Sequence, residues 1–248
     1  MRFFITLAYN GRNYVGWQVQ PNGKSIQSEI QNALSMIFRQ EIQLVGAGRT
    51  DAGVHASKMV AHFDIDDLIY AEDEVVRKLN SILTKDIAIY KIQRVTEDAH
   101  ARFSATSRTY KYFISNHKNP FLYEFRYNLN YKLDIEKMNQ IAAILKEYQD
   151  FTSFSKLHTD VKTNNCNIEF AQWIEDENGY VFTIKADRFL RNMVRAIVGT
   201  LLEVGRGKLD EVGFRRIIEA KDRSAAGNSV PSHALFLYEV SYPDSIWV

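Results

Sequence analysis

Apolar and polar residues recur with two different periods along this chain. Residues 2 to 9, Arg-Phe-Phe-Ile-Thr-Leu-Ala-Tyr, read as a strand, and Asn10-Gly11 after them as a turn. Ile26, Ile30, Leu34 and Ile37 follow Ser25, a good N-cap, at helical spacing and predict a helix. A strand is expected near 42 to 46 and another over 59 to 65. A helix around 72 to 83 groups Val75, Val76, Leu79 and Ile82, and a strand follows over about 87 to 95. This β-α-β-β-α-β order is the split-βαβ or ferredoxin-like pattern.

The second half partly repeats that order. Residues 108 to 116 alternate, with Tyr110, Tyr112 and Ile114 on one side. Asp134 is expected to cap a helix carrying Ile135, Met138, Ile141, Ala142 and Leu145. Strands are expected near 168 to 175 and 179 to 187. A helix should run from 189 to about 204 and stop at Gly205, read as its C′ residue. A further helix over 209 to 220 and a strand over 233 to 242 close the chain. No sequence repeat and no Pro/Gly/Ser-rich linker separates the halves. The expected fold class is α+β: two ferredoxin-like α+β halves, 1–104 and 105–248, sharing an extended, mainly antiparallel sheet with an active-site cleft between them.

Between two of the first strands lies Gly46-Ala47-Gly48-Arg49-Thr50-Asp51-Ala52-Gly53-Val54-His55-Ala56. One carboxylate, Asp51, sits among glycines, with Arg49 two residues before it and His55 four after. Glycine lets a backbone take positive φ and approach a ligand closely. A carboxylate beside a guanidinium stays ionised when partly desolvated, because the two influences oppose each other. A nucleophilic or basic carboxylate needs that environment. On spacing alone, an ordinary glycine or Asx turn fits the run equally well.

Composition sets bounds. The 248 residues make one large domain or two smaller ones, and 46% apolar with 25% charged residues is ordinary for a globular protein. No apolar run approaches the roughly 18 residues of a membrane span, and the first residues do not read as a signal peptide. Cys166 is the only cysteine, so an intramolecular disulfide is impossible and a cysteine-based zinc site lacks ligands. The expected setting is the reducing cytoplasm. A net charge of +1 gives nucleic-acid binding no support, but the local distribution does. Residues 102 to 118 carry Arg102, Arg108, Lys111 and Lys118 without one acid, interleaved with Phe103, Tyr110, Tyr112 and Phe113. Between 187 and 223, nine Lys or Arg face six acids. Cations for phosphates and aromatic faces for bases suit single-stranded or flipped-base recognition, although solvated strand and helix faces give a similar pattern.

The glycine-rich run is one of an ordered set of blocks. Before it stand Tyr9-Asn10-Gly11 and Gly16-Trp17-Gln18. After it come Ala101-Arg102-Phe103-Ser104-Ala105-Thr106, Arg108-Thr109-Tyr110-Lys111-Tyr112 and Asp150-Phe151-Thr152-Ser153-Phe154. The set ends with Phe189-Leu190-Arg191-Asn192-Met193-Val194-Arg195 and Val198-Gly199-Thr200. Over nearly its whole length the chain resembles the tRNA pseudouridine synthase A family. It departs from the family's pattern at Ser57-Lys58, at Ala234 in Pro231-Ser232-His233-Ala234-Leu235, and at Asn164-Asn165-Cys166-Asn167-Ile168, where an arginine is missing.

The resemblance implies isomerisation of uridine to pseudouridine at positions 38, 39 and 40 of the tRNA anticodon stem-loop (standard tRNA numbering). The N1–C1′ bond breaks, the uracil turns, and C5 joins C1′. The reaction needs no redox change, so no cofactor and no metal are expected, and the dinucleotide and phosphate-loop motifs are absent from the sequence. It implies that Asp51 is the catalytic carboxylate, whether it adds to C1′, adds to C6 or takes the C2′ proton. Tyr110 matches the substrate-contacting tyrosine, and Arg195 resembles the arginine that pairs with the catalytic Asp, with Arg191 as the competing candidate. Arg49 is expected to contact the RNA, pairing with Asp51 being the alternative, while Thr50 and His55 support the turn. The expected partners are tRNA and a second copy of the chain, with no membrane.

Two rivals belong to other classes. His62, Asp64 and Asp66 alternate along a strand and, with Asp67, would suit a metal-dependent nuclease or phosphatase. A non-catalytic RNA-binding module is the other. Cys166 lies in a polar stretch without a neighbouring His and is a poor nucleophile.

Overall fold

A computed structural model describes residues 1–156 and 163–248. These divide into two compact units, Met1–Thr106 with Phe236–Val248, and Ser107–Leu235, so the end of the chain clusters with the first unit.

In the first unit, β1 (Arg2–Tyr9) leads through a short 3-10 turn, Gly11–Asn13, to α1 (Ile26–Phe38). The side chain of Ser25 accepts from the Ser28 N–H while the Ser28 side chain accepts from the Ser25 N–H, so two amides that would otherwise be orphaned are satisfied. Then come β2 (Val45–Gly46), β3 (His55–Asp64), α2 (Glu72–Ile82) and β4 (Ile87–Val95). β1 pairs antiparallel with both β3 and β4, and β2 pairs antiparallel with β3, giving the spatial order 4-1-3-2 of the expected pattern. β9 (Leu235–Ser241) adds to β3 in parallel, Phe236 opposite His55 and Leu237 opposite Ala56.

β3 starts at His55, four residues ahead of the expected position, and β2 is only two residues long. The pairing of Tyr9 with Ala56 and of His55 with Phe236 is long-range, and it extends β3 through His55-Ala56-Ser57-Lys58, where no clear alternation announces a strand.

The second unit contains β5 (Ser107–Ser115), β6 (Tyr127–Asn128), α3 (Ile135–Ile144), β7 (Ile168–Asp176), β8 (Gly179–Ala186), α4 (Met193–Gly205) and α5 (Glu211–Glu219). β8 pairs antiparallel with both β5 and β7, and β6 adds a short parallel pair to β5. The α+β class with mainly antiparallel strands is therefore the observed architecture.

Two edges are closed by the same device. Asn80 on α2 holds both the N–H and C=O of Ile89 on β4, each at 2.8 Å. Asn139 on α3 does the same for Trp173 on β7, at 2.7 and 2.9 Å. A side-chain amide thus occupies backbone groups that would otherwise template another strand.

α4 differs from expectation at both ends. The helical pattern reaches back to 189, but Asn192 adopts a left-handed φ of 68° and the helix starts at Met193. At the other end Gly205 is still helical, and its missing Cβ leaves room for Met138 and Leu133 to pack close. The C′ role falls to Gly207, at φ +71°. Its N–H donates to Val204 O at 2.8 Å, and Lys208 N–H donates to Glu203 O at 2.9 Å, the paired bonds of a Schellman cap.

Candidate functional site

The glycine-rich run leaves β2 and is held from below by the two N-terminal blocks. Ala47 N–H donates to Val60 O at 2.8 Å, which fixes its start. The buried Thr50 shares a 2.8 Å hydrogen bond with the Tyr9 hydroxyl, and its carbonyl accepts from Trp17 N–H at 3.2 Å. The Asp51 carbonyl closes a turn by accepting from Val54 N–H at 3.1 Å, with Gly53 at φ +77°. His55 is buried, its ring stacked on Phe236 at 4.6 Å, and its Nδ1 accepts from Gly11 N–H at 3.1 Å.

Close backbone approach explains the glycines below the loop. A Cβ on Gly11 would stand 2.0 Å from Val54 O. One on Gly16, itself at φ +112°, would stand 2.4 Å from Thr50 O. Gly46 abuts the Trp17 indole, whereas Gly48 faces open space. Thus Thr50 and His55 are anchored in the core, Asp51 between them is half-buried, and Arg49 is exposed. A turn anchored on both sides of Asp51, with the exposed Arg49 two residues before it, can present both to a ligand with little reorganisation of its backbone.

In the second unit, Tyr110 is half-buried on β5, its ring edge-on to Phe189 at 5.1 Å and 85°. Arg195 on α4 is anchored by its Nε, which donates to Val230 O at 2.7 Å, while Val230 N–H donates back to Arg195 O at 3.2 Å. The Tyr112 hydroxyl donates to Pro231 O at 3.0 Å, and burial pushes its pKa well above the ordinary tyrosine value. One stretch of backbone, Val230-Pro231, is therefore gripped by the strand that carries Tyr110 and by the helix that carries Arg195.

The Val198-Gly199-Thr200 block explains how that stretch comes so close. A Cβ on Gly199 would stand 1.8 Å from Asn228 O, and Thr200 Oγ1 accepts from Gly227 N–H at 3.0 Å. Arg191 is exposed on the turn before α4, where its carbonyl accepts from Lys156 N–H at 3.0 Å. Sequence reasoning gave no individual role to Phe189, Val230 or Phe236. Phe189 opens a recognisable block and was findable. Val230 contributes only backbone, which leaves no trace in residue type.

The segment that departs from the family's pattern has structural partners. Asn164 Nδ2 donates to Thr152 Oγ1 at 2.9 Å, and Cys166 N–H donates to Gln149 O at 2.9 Å. Burial pushes the Cys166 thiol up to about 12, with Asp187 adding to the effect and Arg188 opposing it, so it stays protonated and unreactive.

The metal-site residues are otherwise engaged. Both Asp64 carboxylate oxygens accept from Arg2 at 2.8 Å, which holds that carboxyl below the usual range. His62 is buried, and its Nδ1 accepts from Ala101 N–H at 3.1 Å. Asp66 and Asp67 are exposed. Among the described residues no three His, Cys, Asp or Glu side chains converge to hold a metal ion. Nor is any described helix long and apolar enough to cross a membrane.

Comparison with known proteins finds relatives over the whole chain. A family model described as tRNA pseudouridine synthase matches residues 5–104 and 145–243. A tRNA pseudouridine synthase A of Parabacteroides distasonis is 59% identical over 250 residues, covering 99% of this chain and 98% of its own. One from Porphyromonas gingivalis is 55% identical over 100% of this chain and 99% of its own. One from Bacillus pumilus is 39% identical over 98% and 99%. The chain belongs to the tRNA pseudouridine synthase family, isomerases that convert uridine to pseudouridine in tRNA.

Proposed function

We propose that this chain isomerises uridines 38, 39 and 40 of the tRNA anticodon stem-loop, with Asp51 as the catalytic carboxylate acting on a flipped-out base. The observation that carries the reading is the clamped turn: Thr50 and His55 are held by Tyr9 and Gly11, and the half-buried Asp51 lies between them in the chain. Removing the base from its stack costs a few kcal/mol, least in a loop or at a weak stem end. Stacking on an aromatic ring returns about 1–3 kcal/mol, and the Tyr110 ring, steadied edge-on by Phe189, is suited to that role. Arg195, its Nε tethered to Val230, and Arg49, exposed on the same loop as Asp51, are assigned to binding the tRNA, with Arg191 the competitor of Arg195. The enzyme works in the cytoplasm as a homodimer, one tRNA touching both subunits across a basic groove.

The test incubates the protein with unmodified tRNA transcript, without metal or nucleotide, and maps pseudouridine along the product. Modification at 38, 39 and 40 is the expected result. Modification confined to another arm overturns the site assignment. Tight binding without any modification turns the protein into an RNA-binding module.

A further inference from the structure

The block Gly16-Trp17-Gln18 runs past the clamped turn in the opposite direction. Trp17 N–H donates to Thr50 O at 3.2 Å, and a Cβ on Gly16 would stand 2.4 Å from Thr50 O, 3.2 Å from the Asp51 carbonyl carbon and 3.3 Å from Ala52 N. Gly16 therefore lies against 50 to 52 and Trp17 against Thr50, so Gln18 follows on the side of Arg49 and Gly48. The backbone on both sides of Gln18 is fixed. Gln27 N–H donates to Trp17 O at 3.0 Å, and Val19 N–H donates to Gln27 Oε1 at 3.1 Å. Gln27 is itself tied down, its Nε2 donating to Leu44 O at 2.7 Å.

The other glutamines of this segment are committed, Gln20 through its Nε2, which donates to Val15 O at 3.1 Å. Gln18 is exposed, and its amide has no hydrogen-bond partner among the described residues. Arg49 is exposed and equally without a partner among them. At Gly48 a Cβ would meet nothing within 4 Å. A carboxamide on a fixed backbone and a guanidinium thus stand at the open edge of the turn that carries Asp51.

We propose that Gln18 is a specificity residue for RNA, its amide taking the ribose 2′-hydroxyl of a nucleotide that adjoins the target uridine. The inference rests on tRNA being the substrate and Arg49 one of its contacts. A guanidinium only donates, which suits a phosphate oxygen. The Gln18 amide also carries an acceptor, Oε1, and an ionised phosphate has no proton to give it. In RNA the groups that do are base N–H groups and the 2′-hydroxyl. An enzyme that takes three successive uridines meets a different base edge beside each of them. The 2′-hydroxyl, donor and acceptor at once, recurs at every nucleotide and is absent from DNA. With its backbone already fixed, Gln18 orders only its side-chain torsions on binding.

The test measures binding by the full chain of tRNA carrying single 2′-deoxynucleotides beside the target positions. Wild type is compared with Gln18→Met, which keeps the length and removes the amide, and with Gln18→Ala. One 2′-deoxy substitution is expected to weaken wild-type binding about fivefold. Gln18→Met and Gln18→Ala should weaken binding of unmodified tRNA by the same factor and lose nothing further on that deoxy tRNA, with melting temperatures in the wild-type range. The salt dependence of binding should be unchanged in both variants, because no phosphate contact is lost. Deoxy penalties that are the same in wild type and variants overturn the proposal. So does a shallower salt dependence, which assigns Gln18 to a phosphate, or a variant that becomes insensitive to a neighbouring base change instead of the sugar. Binding needs no turnover, so a wild type that binds tRNA and modifies nothing removes the reaction assigned above and leaves this comparison intact.

Discussion

The hydroxyl of Tyr9 and Oγ1 of Thr50 share a 2.8 Å hydrogen bond in the core, one residue before the half-buried Asp51. Neither residue belongs to the reacting set, yet together they fix the backbone from which Asp51 projects. Tyr9→Phe leaves the Thr50 hydroxyl buried without this partner, at a cost of about 1–3 kcal/mol. The expected outcome is a lower urea midpoint together with a fall in kcat that exceeds any rise in KM, because a loosened turn misplaces the carboxylate more than it weakens RNA binding. Thr50→Val/Tyr9→Phe, which removes both partners, should recover part of the lost stability. Equilibrium unfolding and steady-state kinetics on the same preparations check both statements.

The glycines around this turn fall into two classes, and alanine substitution separates them. At Gly11 and Gly16 a Cβ meets backbone at 2.0 and 2.4 Å, and Gly16 also has a positive φ. At Gly48 it meets nothing within 4 Å. Gly11→Ala and Gly16→Ala are expected to destabilise by more than about 2 kcal/mol, visible as a melting temperature several degrees lower. Gly48→Ala should melt within about 0.5 kcal/mol of wild type. Equal losses at all three positions would contradict the clamped-turn geometry.

Much of the fold was legible because local signals and the final packing agree. Ser25 before Ile26, Ile30 and Leu34 announces α1, and the structure returns that cap and that buried face. Asp134 announces α3 in the same way. The errors fall where long-range contacts decide. Gly205 looks like a helix stop, but its lack of a side chain serves contact with Met138 and Leu133, and Gly207 two residues later ends the helix. The return of Phe236–Val248 to the first unit depends on pairing across about 180 residues, for which no local pattern exists. The glycine-rich run was visible as a candidate site. The reason for Tyr9-Asn10-Gly11 and Gly16-Trp17-Gln18 was not, because those residues act by where their backbone and rings meet the turn.

Asp51→Asn keeps the size of the side chain and removes its charge. If the carboxylate acts on the uridine, this variant should lose turnover by at least about a thousandfold while tRNA affinity stays within severalfold of wild type. The same assay in EDTA should leave the wild-type rate unchanged, since the reaction as proposed uses no metal. Pseudouridine formation in the tRNA and filter binding, measured in parallel, report the two effects. Equal loss of binding and turnover would mean that Asp51 shapes the loop and does not take part in the reaction.

His62 makes the first unit sensitive to acid. Burial lowers its pKa to about 4, helped by the positive charges of Arg2 and His100 and opposed by Asp64. In the folded chain it is neutral, with Nδ1 accepting from Ala101 N–H and its ring edge-on to His100 at 4.6 Å. Unfolded, it titrates near 6.5. Between those values the unfolded chain binds a proton that the folded chain refuses, so the stability it confers is complete above pH 6.5 and falls as the pH drops toward 4. His100, whose pKa is also lowered by burial, acts in the same direction. The urea midpoint should therefore decline from pH 7 to pH 4.5. His62→Asn, which keeps an acceptor for Ala101 but cannot take up a proton, should start lower and decline less steeply over that interval. Parallel curves for the two proteins would show that His62 does not carry the acid dependence.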